Sequence, residues 1–428
     1  MKTPNFKVTA MAENLAPPEI IRLANEINDR IRNGEKIYNL TIGDFNPKVF
    51  PIPEFLKEEI IKAYNDHQTN YPPSNGILEL RQAVSEYIKE RGGFDYPAKD
   101  IIIASGARPI IYAVYRTLVQ EGDGVIYPVP SWNNAHYCQM NGAKEYLIET
   151  TPEHNFMPCA KDIKPFIKEA KLITLCSPQN PSGTVFQKEQ LKEICELIME
   201  ENYRRSDDER PLYLLLDQIY WMLTFENYKH YDPVALVPEM KDYTVYVDGI
   251  SKVFAATGVR VGWTFGPSKL IGKIQSVISH MGAWAPKSEQ TAVAVFLKNK
   301  TEVDNYVKDF KEKLYKRLKI FHKAFMELKK EGYNVDATEP QGALYLTVKL
   351  DFRGMKTPDG KELKTNADVY NYILCDARIA IVPFHAFGAS KESPWYRISV
   401  GTCSIEDAEK AAEEFKKSIR KIESLVKV

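Results

Sequence analysis

The sequence predicts an α/β fold: a large domain with a mostly parallel sheet covered by helices, plus a smaller α+β domain formed from both chain ends. Short apolar runs recur through the middle of the chain and alternate with helical stretches, which is typical of a parallel sheet buried on both faces. The 428 residues also exceed one ordinary domain. The predicted strands are Ile101–Ala104, Gly124–Tyr127, Leu172–Cys176, Leu212–Leu216 and Thr244–Val247.

The two ends of the chain predict the smaller domain. Near the start, Pro17-Pro18 precedes an amphipathic helix, and a strand-like Ile37–Ile42 follows it. Towards the end, one long helix is expected over 301–331, and Ser404 begins a final helix. Further strands are expected at Ala343–Leu350, Ile379–Val382 and Tyr396–Val400.

These patterns divide the chain into three parts. We expect residues 1–50 to form an N-terminal arm and part of the small domain. Residues 51–300 are predicted to be the large domain, and residues 301–428 to complete the small one. Continuous apolar strands in the middle and mixed strand and helix signals at both ends support this division.

Composition and charge exclude several classes of protein. Lys plus Arg (57) equals Asp plus Glu (57), so the chain lacks the basic surplus of a nucleic-acid binder. No apolar run approaches the roughly 18 residues of a membrane span, and residues 1–18 do not resemble a signal peptide. The 6 cysteines are scattered without a CxxC pair, which favours a cytoplasmic protein. The histidines show no metal-ligand spacing, so we expect no metal.

Polar side chains follow the predicted strands where each strand ends. Because the carboxyl ends of parallel strands meet at one edge of a sheet, we expect these groups to form a single site. The set includes a small-residue loop that opens a helix, an aromatic ring, an amide, a carboxylate, a phenol and a lysine, which together suit a phosphorylated aromatic cofactor. These segments are Ser105-Gly106-Ala107-Arg108, Pro128-Val129-Pro130-Ser131-Trp132, Ser177-Pro178-Gln179-Asn180-Pro181-Ser182-Gly183, Asp217-Gln218-Ile219-Tyr220 and Asp248-Gly249-Ile250-Ser251-Lys252.

One of these segments carries a family resemblance. The stretch from Ser251 to Gly262 resembles the SKxFxxxGxRxG signature of class I/II pyridoxal-phosphate-dependent aminotransferases of fold type I, the group that includes aspartate aminotransferase. Supporting motifs occur in family order over residues 37–400. They are Tyr71-x4-Gly76-x3-Leu80-Arg81, Ser105-Gly106-Ala107, Pro130-x-Trp132, Asn180-Pro181-Ser182-Gly183, Asp217-x-x-Tyr220 and Tyr396-Arg397-Ile398-Ser399.

The resemblance implies roles around the ring of pyridoxal 5′-phosphate. Lys252 would form the Schiff base and then move the proton between the substrate Cα and the cofactor, which needs an amine with a lowered pKa. Asp217 would pair with the ring nitrogen. Asn180 and Tyr220 would bond the phenolic oxygen, and Trp132 would stack on the ring.

The resemblance also implies a phosphate site. The backbone N–H groups of Gly106 and Ala107 would bind the phosphate at a helix N-terminus, together with Ser251 and Arg260. Tyr71 resembles the tyrosine that reaches the phosphate of the neighbouring subunit, which implies a homodimer. One departure is Gly249, where many members of the family have serine.

Substrate contacts follow from the same resemblance. Arg397 matches the arginine that binds the α-carboxylate, and Gly43 and Asn180 would lie beside it. Arg108 stands near the position where some bacterial aspartate aminotransferases have a lysine for the distal carboxylate. Two interpretations of Arg108 stay open, namely the second carboxylate of aspartate or glutamate, and the cofactor phosphate or surface water.

We therefore predict a cytoplasmic enzyme of amino acid metabolism or biosynthesis, an aminotransferase. It would move the amino group of an L-amino acid, best assigned as aspartate, to a 2-oxo acid such as 2-oxoglutarate by a ping-pong cycle. A lyase or decarboxylase of the same fold, and an aminotransferase for neutral or aromatic amino acids, remain alternatives. A non-catalytic regulator is disfavoured because the chain has no room for a DNA-binding module, and a nicotinamide enzyme because no GxGxxG occurs.

Overall fold

Three β-sheets organise the computed structural model, which describes residues 7–15, 17 and 19–422. The strands are β1 (Tyr38–Asn39), β2 (Ile101–Ala104), β3 (Gly124–Val129), β4 (Lys144–Glu149), β5 (Ala170–Cys176), β6 (Tyr213–Asp217), β7 (Thr244–Gly249), β8 (Gly262–Phe265), β9 (Val335–Ala337), β10 (Tyr345–Leu350), β11 (Ile379–Ala380), β12 (Val382–Pro383) and β13 (Trp395–Ser399). The largest sheet has seven strands in the order β2-β8-β7-β6-β5-β3-β4. All its neighbours are parallel except β8, which is antiparallel to both β2 and β7.

Some helices of the described residues contact this large sheet, and others pack beside the two smaller sheets. The helices are α1 (Ala10–Asn14), α2 (Glu19–Arg32), α3 (Glu54–Asn65), α4 (Leu78–Gly92), α5 (Ala107–Leu118), α6 (Asn134–Asn141), α7 (Ala160–Ile163), α8 (Lys188–Arg204), α9 (Pro233–Leu236), α10 (Ile250–Val253), α11 (Ser268–Met281), α12 (Lys287–Lys298), α13 (Lys300–Lys330), α14 (Asn366–Tyr372) and α15 (Ile405–Arg420). Alternate residues of β2 belong to different apolar clusters, Ile101 and Ile103 to one, Ile102 and Ala104 to the other. This alternation shows that each face of the sheet has its own core.

Two smaller sheets join the ends of the chain. The four strands β12-β13-β10-β9 form an antiparallel sheet that packs against α13. The N-terminal β1 pairs in parallel with β11, so that Tyr38 lies opposite Ile379. Side chains cap the two long helices here, since Asn299 accepts from the Glu302 N–H and Ser404 from the Asp407 N–H.

The predicted fold class is confirmed, and all five predicted strands of the large sheet are present. Two further strands, β4 and β8, were not predicted. The prediction of one strand over Ile37–Ile42 was too long, because only Tyr38–Asn39 forms β1. The predicted strand Ile379–Val382 is two strands in different sheets, β11 and β12.

Residues 1–6, 16, 18 and 423–428 lie outside the described residues, so Pro18 of the predicted Pro17-Pro18 helix start is among them. The boundaries of the three predicted domains stay a prediction. Across the described residues, no helix combines the length and the apolar character that crossing a membrane requires.

Candidate active site

A cavity of about 590 Å³ opens at the carboxyl edge of the large sheet. The ends of β5 and β6, the start of α5 and the segment after β7 all contribute to its wall, as expected for a sheet of this topology. The predicted site residues in the wall are Gly43, Ala107, Arg108, Trp132, Asn180, Asp217, Tyr220, Ser251, Lys252, Arg260 and Arg397. Two predicted residues are not in it, Gly106, which directly precedes α5, and Tyr71.

The start of α5 and Arg260 form one end of the cavity. The Arg260 guanidinium donates to the Ser105 carbonyl at 2.8 Å and to the Thr257 carbonyl at 2.7 Å. Gly106 has a φ of 90°, and a Cβ there would come 2.3 Å from Nη2 of Arg260. Only glycine therefore allows this turn and this approach. The Gly106 N–H, which was predicted to bind phosphate, instead donates to the Ala104 carbonyl at 2.7 Å. The groups left to bind an anion here are the first N–H groups of α5, beginning with Ala107, and the Arg260 guanidinium beside them.

Lys252 lies in the short helix α10, directly after β7. Its Nζ donates to the Gly43 carbonyl at 2.8 Å, which ties the end of the large sheet to the N-terminal segment. Burial lowers the pKa of Lys252 to about 8. The negative charge of Asp44 raises this pKa, whereas the positive charges of Arg397 and Arg108 lower it. An amine with such a pKa is substantially neutral at mildly alkaline pH and can act as a base or nucleophile.

Asp217 ends β6 at the floor of the cavity. Burial raises the pKa of its carboxyl to about 6, and the Ile219 N–H and the charge of Lys252 lower it by less. In the described part of the chain, this carboxylate accepts one hydrogen bond, from the Ile219 N–H to Oδ1 at 3.1 Å. A buried carboxylate with so little compensation is suited to a cationic group in the cavity.

Arg397 reaches the cavity from β13. Its Nη1 donates to Oδ1 of Asn180 at 2.9 Å, and its Nη2 donates to the Thr41 carbonyl at 2.5 Å. The side chain is only 2% exposed, and its Nε has no hydrogen-bond partner among the described residues. Burial lowers the pKa of this guanidinium, and the phenols of Tyr345 and Tyr220 raise it by less. The arrangement therefore favours an anionic ligand.

Trp132, the aromatic residue predicted to stack on the cofactor ring, makes a cation–π contact with Arg108. The guanidinium carbon of Arg108 lies 5.2 Å from the centre of the Trp132 ring, a cation–π distance. Arg108 itself is exposed at the start of α5 and lines the cavity. Its charge is close enough to contribute to the lowered pKa of Lys252.

The structure gives a physical reason for Gly249. This residue lies opposite Gly262 in the antiparallel pair β7–β8. A Cβ on Gly249 would come 2.8 Å from the Cα of Gly262, so the pair leaves no room for a serine side chain. Ser251, two residues later, is buried and lines the cavity instead.

Tyr71 lies away from the cavity of its own chain. Its side chain is 82% exposed, and its ring contacts Trp284 edge-on at a centroid distance of 5.4 Å. Tyr71 therefore does not contribute to the wall of the cavity of its own chain.

Several residues in the wall were not predicted from the sequence. The hydroxyl of Tyr345 on β10 lies 2.9 Å from that of Tyr220. Asp44 accepts a hydrogen bond from the Thr257 hydroxyl at 2.8 Å. Thr174 of β5 has a buried hydroxyl without a partner in the described chain. Both Asp44 and Thr174 are next to, or within, predicted segments, but neither belongs to a recognised motif. No group of three His, Cys, Asp or Glu side chains in residues 7–15, 17 and 19–422 is arranged to hold a metal ion.

Comparison with known proteins gives consistent results. A family model described as aminotransferase class I and II matches residues 35–415. An aspartate aminotransferase of Rhizobium meliloti is 28% identical over 416 residues, 95% of both chains. A probable aspartate/prephenate aminotransferase of Rickettsia bellii is 31% identical over 85% of this chain and 87% of that protein. The crystal structure of the aspartate aminotransferase from Rhizobium meliloti superimposes with a TM-score of 0.88 at 26% identity, covering 98% of this chain and 100% of that one.

Proposed function

The chain belongs to the class I and II aminotransferases, and we propose that it moves the amino group of aspartate to 2-oxoglutarate with pyridoxal 5′-phosphate as its cofactor. The observation that carries this proposal is the position of Lys252. Its amine lies in the wall of the cavity and has a pKa lowered to about 8. Asp217, a buried carboxylate with little compensation, lies in the same wall.

The donor set of the cavity fits this cofactor at both ends. Arg260, Ser251 and the Ala107 N–H would hold the phosphate, because a guanidinium and a helix N-terminus both favour anions. Asp217 would hold the protonated ring nitrogen, since its own pKa is low enough for ionisation at neutral pH. Asn180 and Tyr220 would donate to the ring oxygen, and Trp132 would cover one ring face.

The protein's own groups divide the chemistry among them. The bound cofactor supplies a carbonyl group that takes up the amino group and a ring that accepts negative charge. Lys252 takes the proton from the Cα of the amino acid and returns one in the reverse direction. Asp217 keeps the ring nitrogen protonated. Tyr220 and Asn180 would hold the ring oxygen by hydrogen bonds and so would stabilise negative charge on it.

Arg397 and Arg108 would select the substrate. Arg397 is proposed to bind the α-carboxylate, with Asn180 and Gly43 beside it. Arg108 is proposed to bind the distal carboxylate of aspartate, because it is exposed to the cavity and carries a charge felt at Lys252. We expect Arg108→Ala to lower the ratio of kcat/KM for aspartate to that for a neutral amino acid by about 10-fold or more. An unchanged ratio would assign Arg108 to the phosphate or to solvent and leave neutral or aromatic amino acids as the substrates.

Prephenate is a second candidate for the amino acceptor. The names of several relatives, among them the protein of Rickettsia bellii, include prephenate. Prephenate carries a 2-oxo acid and a second carboxylate, so that it could use the same two arginines. Competition between prephenate and 2-oxoglutarate for aspartate as donor distinguishes the two acceptors, since the preferred one suppresses product from the other.

A homodimer is also proposed, with Tyr71 reaching the cavity of the neighbouring subunit. Large apolar side chains are exposed on α3, α4 and α12, and both α3 and α4 contact α12, a pattern that marks an interaction surface. They are Ile61, Tyr64, Leu78 and Val295. Tyr71 itself contributes to this surface and not to its own cavity.

Absorbance spectroscopy tests the proposed function. Protein incubated with pyridoxal phosphate and then desalted should keep a long-wavelength band that depends on pH, and aspartate should bleach it while oxaloacetate forms. Lys252→Ala should abolish both effects. Lys311→Ala is the matched control, because burial also lowers the pKa of this lysine but it lies in α13, outside the cavity wall. A band that ignores aspartate would remove aspartate as donor, and a wild-type protein without any band would overturn the proposal.

A further inference from the structure

Tyr345 lies where three residues of the proposed site meet, although it belongs to none of the motifs. It begins β10 and is only 1% exposed. Its hydroxyl lies 2.9 Å from that of Tyr220, and the guanidinium carbon of Arg397 lies 4.6 Å from the centre of its ring. A Cβ on Gly43 would come 2.8 Å from its hydroxyl oxygen.

The hydroxyls of Tyr345 and Tyr220 share one hydrogen bond, in which either oxygen can be the donor. Both phenols are buried, and each can donate to the other. When an acceptor occupies the cavity beside Tyr220, the hydrogen of Tyr220 turns to it, and Tyr345 then donates to the oxygen of Tyr220. A hydroxyl that accepts a hydrogen bond is a stronger donor, because consecutive hydrogen bonds polarise one another.

The ring of Tyr345 supports the guanidinium of Arg397. A second ring, Phe387, lies 4.8 Å from the same guanidinium carbon. Two aromatic faces fix the plane of the guanidinium and provide part of the compensation that its buried charge needs. The Nη1 atom then points to Asn180. This contact uses the ring and not the hydroxyl, so that the two functions of Tyr345 can be separated by mutation.

We propose that Tyr345 is a positioning residue that orients the Tyr220 hydroxyl towards the cofactor through its own hydroxyl, and holds the carboxylate-binding Arg397 through its ring. The proposal rests on the proposed function, because it takes Tyr220 as a ligand of the cofactor and Arg397 as a ligand of the substrate.

Tyr345→Phe removes the hydroxyl and keeps the ring. Tyr396→Phe is the matched control, since Tyr396 is also a buried tyrosine of this small sheet whose hydroxyl donates one hydrogen bond, to the Asn366 carbonyl at 3.2 Å. A hydrogen bond to the ring oxygen stabilises the deprotonated form of the bound chromophore. A weaker donor should therefore raise the pH midpoint of its absorbance change, by about half a pH unit or more in Tyr345→Phe. Tyr396→Phe should leave the midpoint unchanged.

A double-mutant cycle shows whether Tyr345 acts through Tyr220. In a Tyr220→Phe background, Tyr345→Phe should cause no further shift of the midpoint, because the group that it orients is already absent. Equal shifts in both backgrounds would overturn the proposed coupling, and so would a midpoint for Tyr345→Phe that equals the wild-type value.

Binding of succinate, a dicarboxylate without an amino group, tests the part assigned to the ring. Tyr345→Phe should bind succinate with a dissociation constant within about twofold of the wild type, since the ring remains over Arg397. A loss of more than about fivefold would overturn this part. The wild-type protein checks the proposed function separately. If the wild type shows no absorbance band or does not bind succinate, the proposed function fails, and the positioning role of Tyr345 fails with it.

Discussion

Asp217 keeps a negative charge in a place where folding has removed most of its water. Burial raises the pKa of its carboxyl to about 6, above the value of about 3.9 for an unfolded aspartate. A group whose charged form is disfavoured in the folded state makes folding less favourable as the pH rises between these two values. The charged Asp217 carboxylate therefore lowers the free energy of unfolding of the cofactor-free protein. The proposed cofactor would compensate this charge with its ring nitrogen.

Asp217→Asn should consequently stabilise the cofactor-free protein and inactivate the enzyme. The gain in the free energy of unfolding over the wild type should grow by up to about 1.4 kcal/mol per pH unit between about pH 4 and 6, and stay constant above. Activity should fall by about 10²-fold or more, because a neutral amide no longer holds the ring nitrogen protonated. Thermal unfolding of desalted protein at several pH values, together with the kcat for aspartate, measures both effects.

Asp207→Asn provides the control for this pair of measurements. Asp207 is exposed in the charged connection after α8, so its substitution should change neither the pH dependence of the melting temperature nor kcat. If the melting temperature of Asp217→Asn has the same pH dependence as that of Asp207→Asn, the Asp217 carboxylate does not destabilise the folded protein.

Single residues also show where sequence motifs stop being informative. Lys252, Asp217 and Arg397 belong to motifs, and the structure brings all three to one cavity. Tyr345 lies within the predicted strand Ala343–Leu350, but strand periodicity gives only the face of the sheet and not the partner across a cavity. Its contacts depend on the meeting of two sheets, which no local pattern encodes.

At the scale of elements, the backbones of the antiparallel pair β7–β8 approach each other closely beside the cavity. Gly249 and Gly262 lie opposite each other, and Gly262 in turn would place a Cβ 2.7 Å from the backbone carbon of Gly106. Two glycines thus allow β7, β8 and the start of α5 to pack together.

Gly249→Ser should therefore weaken both the fold and the phosphate site, even though serine is common in the family at this position. The added Cβ must push β7 and β8 apart, at a cost of about 1–3 kcal/mol in the free energy of unfolding. The same movement shifts Arg260 and Ser251, so the affinity for pyridoxal phosphate should fall. Denaturant unfolding and titration of the cofactor-free protein with pyridoxal phosphate measure the two losses.

Gly272→Ala gives a control of opposite sign. Gly272 lies within α11, and a Cβ there meets no atom within 4 Å, so alanine should stabilise the protein by up to about 1 kcal/mol through its higher helix propensity. Equal stability changes for the two variants would contradict the steric argument at Gly249.

The strands that sequence reasoning missed have specific physical reasons. β4 lies at the edge of the sheet and alternates exposed and buried residues, so it lacks the continuous apolar run of its neighbours. β8 has only four residues and follows directly after the Ser251–Gly262 motif. The segment from Ile379 to Val382 is one apolar run, yet β11 pairs with β1 and β12 with β13. Which sheet each half joins depends on contacts far away in the sequence.

For the whole molecule, the proposed role of Tyr71 would make the assembly part of the function, since this side chain is exposed on its own chain. A tyrosine that reaches the neighbouring cavity would be missing from an isolated chain. Sequence reasoning placed the other site residues through the order of strands in one chain, but the contribution of a second chain came only from the family resemblance.

Mixed dimers test this arrangement. Tyr71→Ala subunits and Lys252→Ala subunits should each have low activity alone, whereas a hybrid dimer contains one complete site, with Lys252 from one chain and Tyr71 from the other. Random mixing makes about half of the dimers hybrids, so about a quarter of the wild-type activity should return after unfolding and refolding the two variants together. If Tyr71 served its own chain, no activity would return, and sedimentation would still report whether dimers form.

The reversed direction of β8 has a consequence for how the chain can change in length. Because β7 ends and β8 begins at the same edge, the loop between them never crosses the sheet, and Lys252 and Arg260 are anchored at opposite ends of one short tether. An inserted or deleted residue in this tether would move the Lys252 amine relative to the Arg260 guanidinium, and so would separate the proposed reactive group from the proposed phosphate ligand, however well the rest of the molecule folded. We therefore expect insertions and deletions to be tolerated in the connections at the opposite edge of the sheet, which do not join these two residues.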